Sequence, residues 1–526
     1  MMSKSTESKK NMSGFEKFIK TVEIVGNKLP HPFTLFALLT AIVLLLSFIL
    51  AKMGVSVTYM AAGRAGEGIA EKTVAVTNLL SYGPLRAFIQ EFVKIYVNFA
   101  PLGLIMVMML GISLIEQTGL ISALMRKTIL GAPSYMVTAV LSIVGICANL
   151  ASDAGIIFTP AIGGALYKAL GRNPIVGIIT GFAAATGGFT ANLLIAGTDV
   201  LLSGITQSAA QGMGINAPIH PLINWYFMIV ATAVLTLVTT LVTEKFTVRI
   251  LGDRTAKADA SDLKKHALTE EENKGLRAAG IAALICIAVL LLLAVPQNGF
   301  LRSDDGSIIP SSPLLKGVIA ILFFFFFIVG TAYGKAAGII KTEKDIPKLM
   351  QKGLQGSLSF LVVVLTAAIF VHFFNASNLT TVLAVKGADA LKAMNLTGIP
   401  LLVLFIILSS FVNLFITSGS AKWLILAPIF VPMFSIVGLS PAATQLAYRI
   451  GDSSTNIISP ISYYIPVIIG LIEQYKSEEE KNTTGIGTVI SLTMPYSLAY
   501  LVSLTALLIV WYLLRLPLGP GVSFFM

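Results

Sequence analysis

The residues of this sequence that are best suited to chemistry lie in two apolar regions, 133–215 and 398–471. Arg449 and Asp452 are three residues apart, so they share one face if this segment is helical. A guanidinium can bind a carboxylate through two parallel hydrogen bonds, which makes Arg449 a candidate clamp for an anionic substrate. Asp452, and Asp199 in the earlier region, are candidates to bind and release a coupling proton or cation. The alternative for Arg449 and Asp452 is an internal ion pair that only neutralises itself.

A polar turn at residues 417–420 introduces further candidates. Gly419 and Ser420 would open a helix, and the partial positive charge of a helix N-terminus can hold an anionic group. Trp423 lies one turn further on and can stack on an aromatic ring. Lys422 beside it can either take part in the site or snorkel to the membrane surface. An aromatic substrate that bears a carboxylate would suit these residues.

The corresponding turn of the first region contains Asn149 and Asp153. Both are candidates for ion coupling, although Asp153 is equally suited to cap a helix. The two cysteines, Cys147 and Cys286, lie inside apolar runs, and the four histidines are far apart, so neither type forms a metal-ligand pattern. We predict no cofactor and a coupling ion that is H+ or Na+, with a sodium ion near the hairpin tips left open.

Composition places the chain in a membrane. It has 526 residues, of which 55% are hydrophobic and 12% charged, and its mean hydropathy is +0.84. Soluble domains are about 25% charged, so a soluble enzyme, a disordered chain and a nucleic-acid binder are all excluded. The net charge of +11 is interpreted as basic loops that fix membrane orientation. No Gly-x4-Gly-Lys-Ser/Thr motif occurs, so energy should come from an ion gradient rather than from ATP.

Apolar runs of about 20 residues, the length that spans a bilayer, divide the rest of the chain. They occur at 32–52, 97–116, 221–243, 277–296, 313–333, 356–376 and 486–514. The segments predicted to be polar linkers are 1–30, 53–95, 244–276, 334–353, 377–397 and 472–485. Because a polar segment precedes the first run, and that run is long enough to span, the N-terminus is not predicted to be a cleavable signal.

The two chemistry-bearing regions are apolar but interrupted, and they share an order of features. Each has an Asn-Leu pair followed by small polar residues, then a proline, then a closing polar stretch with asparagine. In the first region these are 149–155, Pro160 and 187–192. In the second they are 413–420, Pro428 and 452–456. Irregular backbone at membrane depth is tolerated only where protein buries it or it lines a cavity. We therefore predict re-entrant hairpins at 133–170 (hairpin one, tip near Ser152) and 398–437 (hairpin two, tip near Ser418), followed by broken helices at 174–212 and 441–471. Paired interrupted segments of this kind indicate a transport site.

Lysine and arginine counts orient this arrangement. With the N-terminus in the cytoplasm and neither hairpin crossing, there are nine spans, and 25 of the 37 Lys and Arg residues lie on cytoplasmic segments against ten on outer ones. This excess agrees with the positive-inside rule. Hairpin one then opens inward and hairpin two outward, so the two regions form an inverted repeat.

Three strings of this sequence, at 196–199 (AGTD), 418–423 (SGSAKW) and 447–460 (AYRIGDSSTNIISP), resemble the p-aminobenzoyl-glutamate transporter (AbgT) family, and the resemblance covers nearly the whole chain. It implies a homodimeric transporter of the bacterial inner membrane, with a scaffold domain and a transport domain that moves like an elevator. It also implies transport of p-aminobenzoyl-glutamate and, in some members, proton-driven export of sulfonamide antimetabolites. The family's functional positions fall on Asp199, Asn413, Ser420, Trp423, Pro441, Arg449, Asp452 and Pro460.

We therefore predict an all-α integral membrane protein, not an enzyme, with about nine transmembrane helices plus two re-entrant helical hairpins in inverted repeats. Its predicted parts are a cytoplasmic N-terminal segment (1–31), scaffold helices (32–132 and 277–355), two transport repeats (133–243 and 356–471), a cytoplasmic loop (244–276) and a last helix with the C-terminus (472–526). Its partners would be a small-molecule substrate, membrane lipid and a second copy of the chain, but no nucleic acid.

Two other functions compete with transport of aromatic carboxylates. Hairpins with Ser, Thr and Asn at their tips also suit a sodium-coupled di- or tricarboxylate symporter. A channel-like or structural membrane protein is the third reading. Trp423 beside Arg449 favours transport of an aromatic carboxylate over the di- or tricarboxylate symporter. The ionisable residues at membrane depth argue against a channel-like or structural protein.

Overall fold

The computed structural model describes residue 21 and residues 30–62, 69–189, 191–253, 258–309, 312–355, 358–476 and 484–526. Almost all of the predicted N-terminal segment therefore lies outside the described residues. The strands Ser56–Ala62 (β1) and Ile69–Ala75 (β2) pair in an antiparallel sheet. The α-helices, in chain order, are Pro32–Lys52 (α1), Tyr82–Val97 (α2), Ala100–Gln117 (α3), Leu120–Leu130 (α4), Val137–Ile146 (α5), Ser152–Ala169 (α6), Pro174–Gly187 (α7), Gly197–Gln211 (α8), Trp225–Val242 (α9), Val248–Leu251 (α10), Ser261–Lys264 (α11), Glu270–Ala294 (α12), Pro313–Lys316 (α13), Val318–Ala336 (α14), Asp345–Leu354 (α15), Leu358–Ala376 (α16), Leu379–Ala393 (α17), Gly398–Asn413 (α18), Gly419–Ile436 (α19), Pro441–Thr455 (α20), Ile465–Glu473 (α21) and Ile486–Leu513 (α22).

Eight helical segments of the described residues are long and apolar enough to cross a membrane. Seven of them overlap the seven apolar runs predicted from sequence, and these are Pro32–Lys52, Tyr82–Gln117, Trp225–Leu251, Glu270–Ala294, Val318–Ala336, Leu358–Ala376 and Ile486–Leu513. The eighth is α19, which is an arm of hairpin two. When α19 is set aside and the two broken helices are counted instead, the predicted nine spans result.

The two hairpins and two broken helices confirm the predicted repeat. In hairpin one, α5 and α6 are joined by a 3-10 turn at Cys147–Ala151; in hairpin two, α18 and α19 are joined by residues 414–418. The helix before each hairpin is sharply bent against it, by 115° for α4 and by 119° for α17. The break in the helix that follows separates α7 from α8 in the first repeat and α20 from α21 in the second.

The predicted linkers contain more regular structure than expected. The segment 53–95 holds the β-sheet and most of α2, 377–397 holds all of α17, and 334–353 holds most of α15. The loop at 244–276 is shortened at both ends, because α9 continues through a π-helical turn into α10 and because α12 begins at Glu270. Hydropathy alone misses such elements, since one polar face lowers their mean hydropathy although the other face is apolar.

Glycines allow the helices of each repeat to approach closely, as small residues do between membrane helices. A Cβ atom on Gly177 of α7 would lie 2.2 Å from the carbonyl oxygen of Gly163 on α6. A Cβ atom on Gly451 of α20 would lie 2.5 Å from the carbonyl oxygen of Ile406 on α18. Between the repeats, α8 packs against α19 and α20. The break of repeat one is thereby brought to hairpin two.

Candidate functional site

Each hairpin tip carries an asparagine that binds the interruption of the helix after it. Asn149 accepts a hydrogen bond from the amide of Asn192, and the amide of Asn413 donates to the side-chain oxygen of Asn456 at 2.9 Å. Asn149 and Asn413 are separated by as many residues as Asn192 and Asn456 are. The same contact therefore recurs in both repeats, and it satisfies polar groups that a broken helix would otherwise leave buried without a partner.

Two buried ion pairs link α20 to its neighbours α8 and α19. Arg449 on α20 pairs with Asp199 on α8, with 2.7 Å between Nη2 and Oδ1, so this pair joins the two repeats. Lys422 on α19 pairs with Asp452 on α20, with 2.5 Å between Nζ and Oδ1. The four side chains are at most 9% exposed. The reading in which Arg449 and Asp452 neutralise one another is therefore wrong, because each has a different partner.

The ammonium group of Lys422 lies between two oxygen acceptors. One is the Asp452 carboxylate and the other is the side-chain oxygen of Asn413, to which Lys422 donates. Lys422 is 1% exposed, so it does not snorkel to the membrane surface. Gly419 approaches the other carboxylate oxygen, since a Cβ atom there would lie 3.3 Å from Asp452 Oδ2. A protein ammonium thus occupies the position that a small coupling cation would take between these oxygens.

Asp199 combines its ion pair with a helix cap. Its Oδ2 atom accepts a hydrogen bond from the backbone amide of Ala196 at 2.8 Å, at the start of α8. Its Oδ1 atom faces Arg449. Both carboxylate oxygens are therefore used to fix the first turn of α8 against α20, which gives this residue a positioning role across the two repeats.

Trp423 is fully buried in this structure. Its ring stacks on Tyr448 with centroids 4.6 Å apart and 23° between the planes, and the side chain is 0% exposed. Its indole N–H donates to the hydroxyl of Thr206 on α8 at 2.9 Å, and Thr206 in turn donates to Gln445 at 2.6 Å. Trp423 therefore ties hairpin two to repeat one, and direct stacking on a substrate stays a prediction.

A cavity of about 550 Å³ opens beside these ion pairs. Its lining comes from the hairpin-two tip, both repeats and the loop after α20: Ile156, Thr186, Phe189, Thr198, Leu201, Leu202, Ser359, Thr417, Ser418, Gly419, Ser420, Asp452, Asn456, Ser459, Ser462, Tyr463 and Tyr464. Of the predicted site residues, Ser420 and Asp452 belong to this lining. Asp452 is the only charged residue in it among the described parts of the chain.

The other predicted residues lie around the cavity or apart from it. Arg449 and Asn413 form the buried layer behind Asp452. Pro441 is the first residue of α20, at the opposite end of that helix from the break, and Pro460 is buried in the loop after it. Asp153 lies in the first turn of α6, and its side chain is outside what the structure describes.

The sequence analysis missed the polar residues that support the site. Gln445 accepts from Thr206 and donates to Asn224 at 2.8 Å, and Asn224 donates to the carbonyl oxygen of Ala442 at 2.9 Å. The signal that was available is that Gln445 and Asn224 are polar residues within otherwise apolar segments. Such residues need buried partners. Across the described ranges, no group of three or more His, Cys, Asp or Glu side chains is placed to hold a metal ion.

Comparison with known proteins gives a consistent result over the whole length. The profile of the AbgT putative transporter family matches residues 17–526. The p-aminobenzoyl-glutamate transport protein of Escherichia coli (strain K12) is 39% identical over 521 residues, which cover 99% of each chain.

Two solved structures are also similar. The YdaH transporter of Alcanivorax borkumensis, described as having an unusual topology, has 35% identity and a TM-score of 0.84, and the match covers 93% of this chain and 100% of that one. MtrF of Neisseria gonorrhoeae, described with a class of antimetabolite efflux pumps, has 37% identity and a TM-score of 0.88, and the match covers 96% of this chain and 100% of that one.

Proposed function

Because this chain belongs to the AbgT transporter family, and is therefore a transport protein rather than an enzyme, we propose that it is a secondary active transporter of p-aminobenzoyl-glutamate and related aromatic carboxylates. The same route would export sulfonamide antimetabolites, which share the aromatic amine. The Escherichia coli relative, which is similar over 99% of its length, is a p-aminobenzoyl-glutamate transport protein, and MtrF is described with a class of antimetabolite efflux pumps. The first supports the substrate and the second supports export.

The observation that carries this proposal is the cavity where hairpin two meets the break of repeat one. A site between interrupted helices near mid-membrane is where secondary transporters bind their substrates. Its volume of about 550 Å³ lies within the range of small-molecule sites. Ser418, Gly419 and Ser420 at its wall begin α19, so the N-terminal dipole of an 18-residue helix is near an anionic substrate.

The charges around this cavity support proton coupling through Asp452 as part of the proposal. Asp452 lines the cavity, so a proton can reach it together with substrate. Lys422 already supplies a positive charge between Asp452 and Asn413, which leaves no position for sodium between those two oxygens. When Asp452 takes a proton, the ion pair is lost and Lys422 remains buried with its charge, so the protonated and unprotonated states favour different packing of hairpin two.

The larger movements and the assembly are part of the same proposal. The hairpins and broken helices would move as a transport domain against scaffold helices such as α3 and α14, and α3 contacts both α14 and α8. Large apolar side chains on α12, among them Leu284 and Leu292, are 69% and 72% exposed, which suits lipid or a second copy of the chain. We place the protein in the bacterial inner membrane with its N-terminus in the cytoplasm.

Counterflow in proteoliposomes tests the substrate class. Vesicles preloaded with unlabelled p-aminobenzoyl-glutamate should take up the labelled compound, and external sulfonamide should compete with it, whereas succinate should not. Uptake of succinate that depends on sodium, without uptake of p-aminobenzoyl-glutamate, would contradict the proposal and support the di- or tricarboxylate symporter.

A further inference from the structure

Among the described residues that line the cavity, one aromatic side chain is strongly exposed, and it is Tyr463 rather than Trp423. Three aromatic residues belong to the lining, namely Phe189, Tyr463 and Tyr464. Tyr463 is 62% exposed, whereas Tyr464 is 8% exposed and lies against it with ring centroids 4.1 Å apart. The Tyr463 hydroxyl is 2.6 Å from that of Tyr464. Its ring is thus supported from one side and held at its polar end.

Trp423 is far less accessible than Tyr463, because it is 0% exposed and its neighbours already engage it. Tyr448 covers one ring face, and the indole N–H is bonded to Thr206. A substrate ring could reach Trp423 only after that packing is broken. Tyr463 lines the cavity with 62% of its surface exposed, and an aromatic side chain with two rotatable bonds presents a rigid stacking surface.

The same cavity is lined by a buried hydroxyl, that of Thr186, which has no hydrogen-bond partner among the described residues. The Thr186 side chain is 4% exposed. Thr198 across the break of repeat one lines the cavity too, and its hydroxyl is likewise without a partner there. Buried polar groups are nearly always hydrogen-bonded, so an unsatisfied one in a cavity indicates a ligand.

We propose that Tyr463 is the residue that stacks on the aromatic ring of the substrate and that the Thr186 hydroxyl hydrogen-bonds a polar group of the same molecule. This assignment rests on the proposed function, since it presupposes an aromatic substrate in this cavity. Tyr463 then selects for aromatic over aliphatic carboxylates. Trp423 acts on the site by positioning hairpin two against α8.

The ring assignment is tested by the affinity of purified protein for p-aminobenzoyl-glutamate. Tyr463→Leu should weaken binding about 10-fold or more, as loss of one stacked ring does. Tyr463→Phe should bind within about 3-fold of wild type, because it keeps the ring. Tyr135→Leu is the matched control, since Tyr135 is 85% exposed and is not part of the cavity lining; it should leave the affinity unchanged.

The hydroxyl assignment has a control of the same chemistry. Thr331 on α14 also has a buried hydroxyl without a partner among the described residues, and it is not part of the cavity lining. Thr186→Val and Thr331→Val should both leave the melting temperature unchanged or raised, because each removes an unsatisfied group. Only Thr186→Val should weaken binding, by about 5-fold or more.

The outcomes separate this inference from the function on which it rests. A folded wild-type protein that does not bind p-aminobenzoyl-glutamate overturns the proposed function, and the inference with it. If wild type binds and folded Tyr463→Leu or Thr186→Val binds equally well, that assignment is overturned and the function stands. If Tyr463→Phe loses as much affinity as Tyr463→Leu, the hydroxyl rather than the ring contacts substrate, and the stacking assignment is overturned.

Discussion

The pairing of the four buried charges predicts which double substitutions compensate. Arg449 pairs with Asp199, and Lys422 pairs with Asp452, although Arg449 and Asp452 are three residues apart on one helix. The perturbation is a set of double-mutant cycles that neutralise the charges singly and in pairs: Arg449→Gln with Asp199→Asn, Lys422→Gln with Asp452→Asn, and Arg449→Gln with Asp452→Asn.

The magnitudes follow from burial. Because these side chains are at most 9% exposed, removing one member of a pair leaves an uncompensated charge in the protein, which costs about 3–5 kcal/mol. Removing both members is far closer to neutral, so each true pair should show a coupling energy of about 2 kcal/mol or more. The combination of Arg449→Gln with Asp452→Asn breaks two separate pairs, so its costs should add with a coupling energy below about 1 kcal/mol.

The assay is the free energy of unfolding in mixed micelles, titrated with a denaturing detergent, for wild type, single variants and double variants. Recovery of folded protein from the double variants of the true pairs supplies a second readout where a single variant fails to fold. A coupling energy between Arg449 and Asp452 as large as that between Arg449 and Asp199 would refute the pairing and, with it, the assignment of Asp452 to Lys422.

Three further predictions use other parts of the fold. Gly451→Val should destabilise the protein by about 3 kcal/mol or more, because the new side chain would clash with the backbone of α18. Gly470→Val should be nearly neutral, since nothing lies within 4 Å of a Cβ atom there, and unfolding titrations compare the two variants. Arg172→Gln removes two ion pairs of 2.8 Å, to Glu244 in the π-helical turn after α9 and to Asp253 just after α10, which fasten this segment to the chain that follows α6. The loop after α10 should therefore be cut faster in limited proteolysis, and an unchanged rate would contradict this anchoring. In a variant without native cysteines, a cysteine at Lys341 should react with an impermeant thiol reagent from the cytoplasmic side and one at Arg302 from the outer side; labelling of both from one side would contradict the nine-span topology.

The membrane spans and the two hairpins could be predicted from the sequence, because apolar runs and the polar residues that interrupt them are visible in short stretches of chain. Apolar runs mark the spans, and the polar turns at the two hairpin tips have no stable place in a membrane unless protein buries them. The sequence was insufficient for elements whose apolar residues occupy only one face, such as α15. Those elements are stabilised by contacts with other helices, which hydropathy does not contain.

The site was predictable in its residues but not in its contacts. Asp452 and Ser420 were identified and lie at the cavity. The partner of Asp452, however, is Lys422, which spacing along one helix did not indicate. Helical spacing reports which residues share a face, whereas the pairing of charges is decided by which helices pack together, here α19 and α8, which both pack against α20.

Measuring proton movement together with substrate movement shows whether Asp452 couples transport to protons. Proteoliposomes that contain a trapped pH indicator are exposed to p-aminobenzoyl-glutamate in sodium-free buffer, and exchange of labelled substrate is measured in the same preparation. Wild type and the control Asp305→Asn, which changes an exposed carboxylate, should show a substrate-dependent change of internal pH. Asp452→Asn should show no pH change but should still exchange substrate. Wild-type protein that moves substrate only with sodium and without any pH change, or Asp452→Asn protein that moves protons as wild type does, would contradict proton coupling through Asp452.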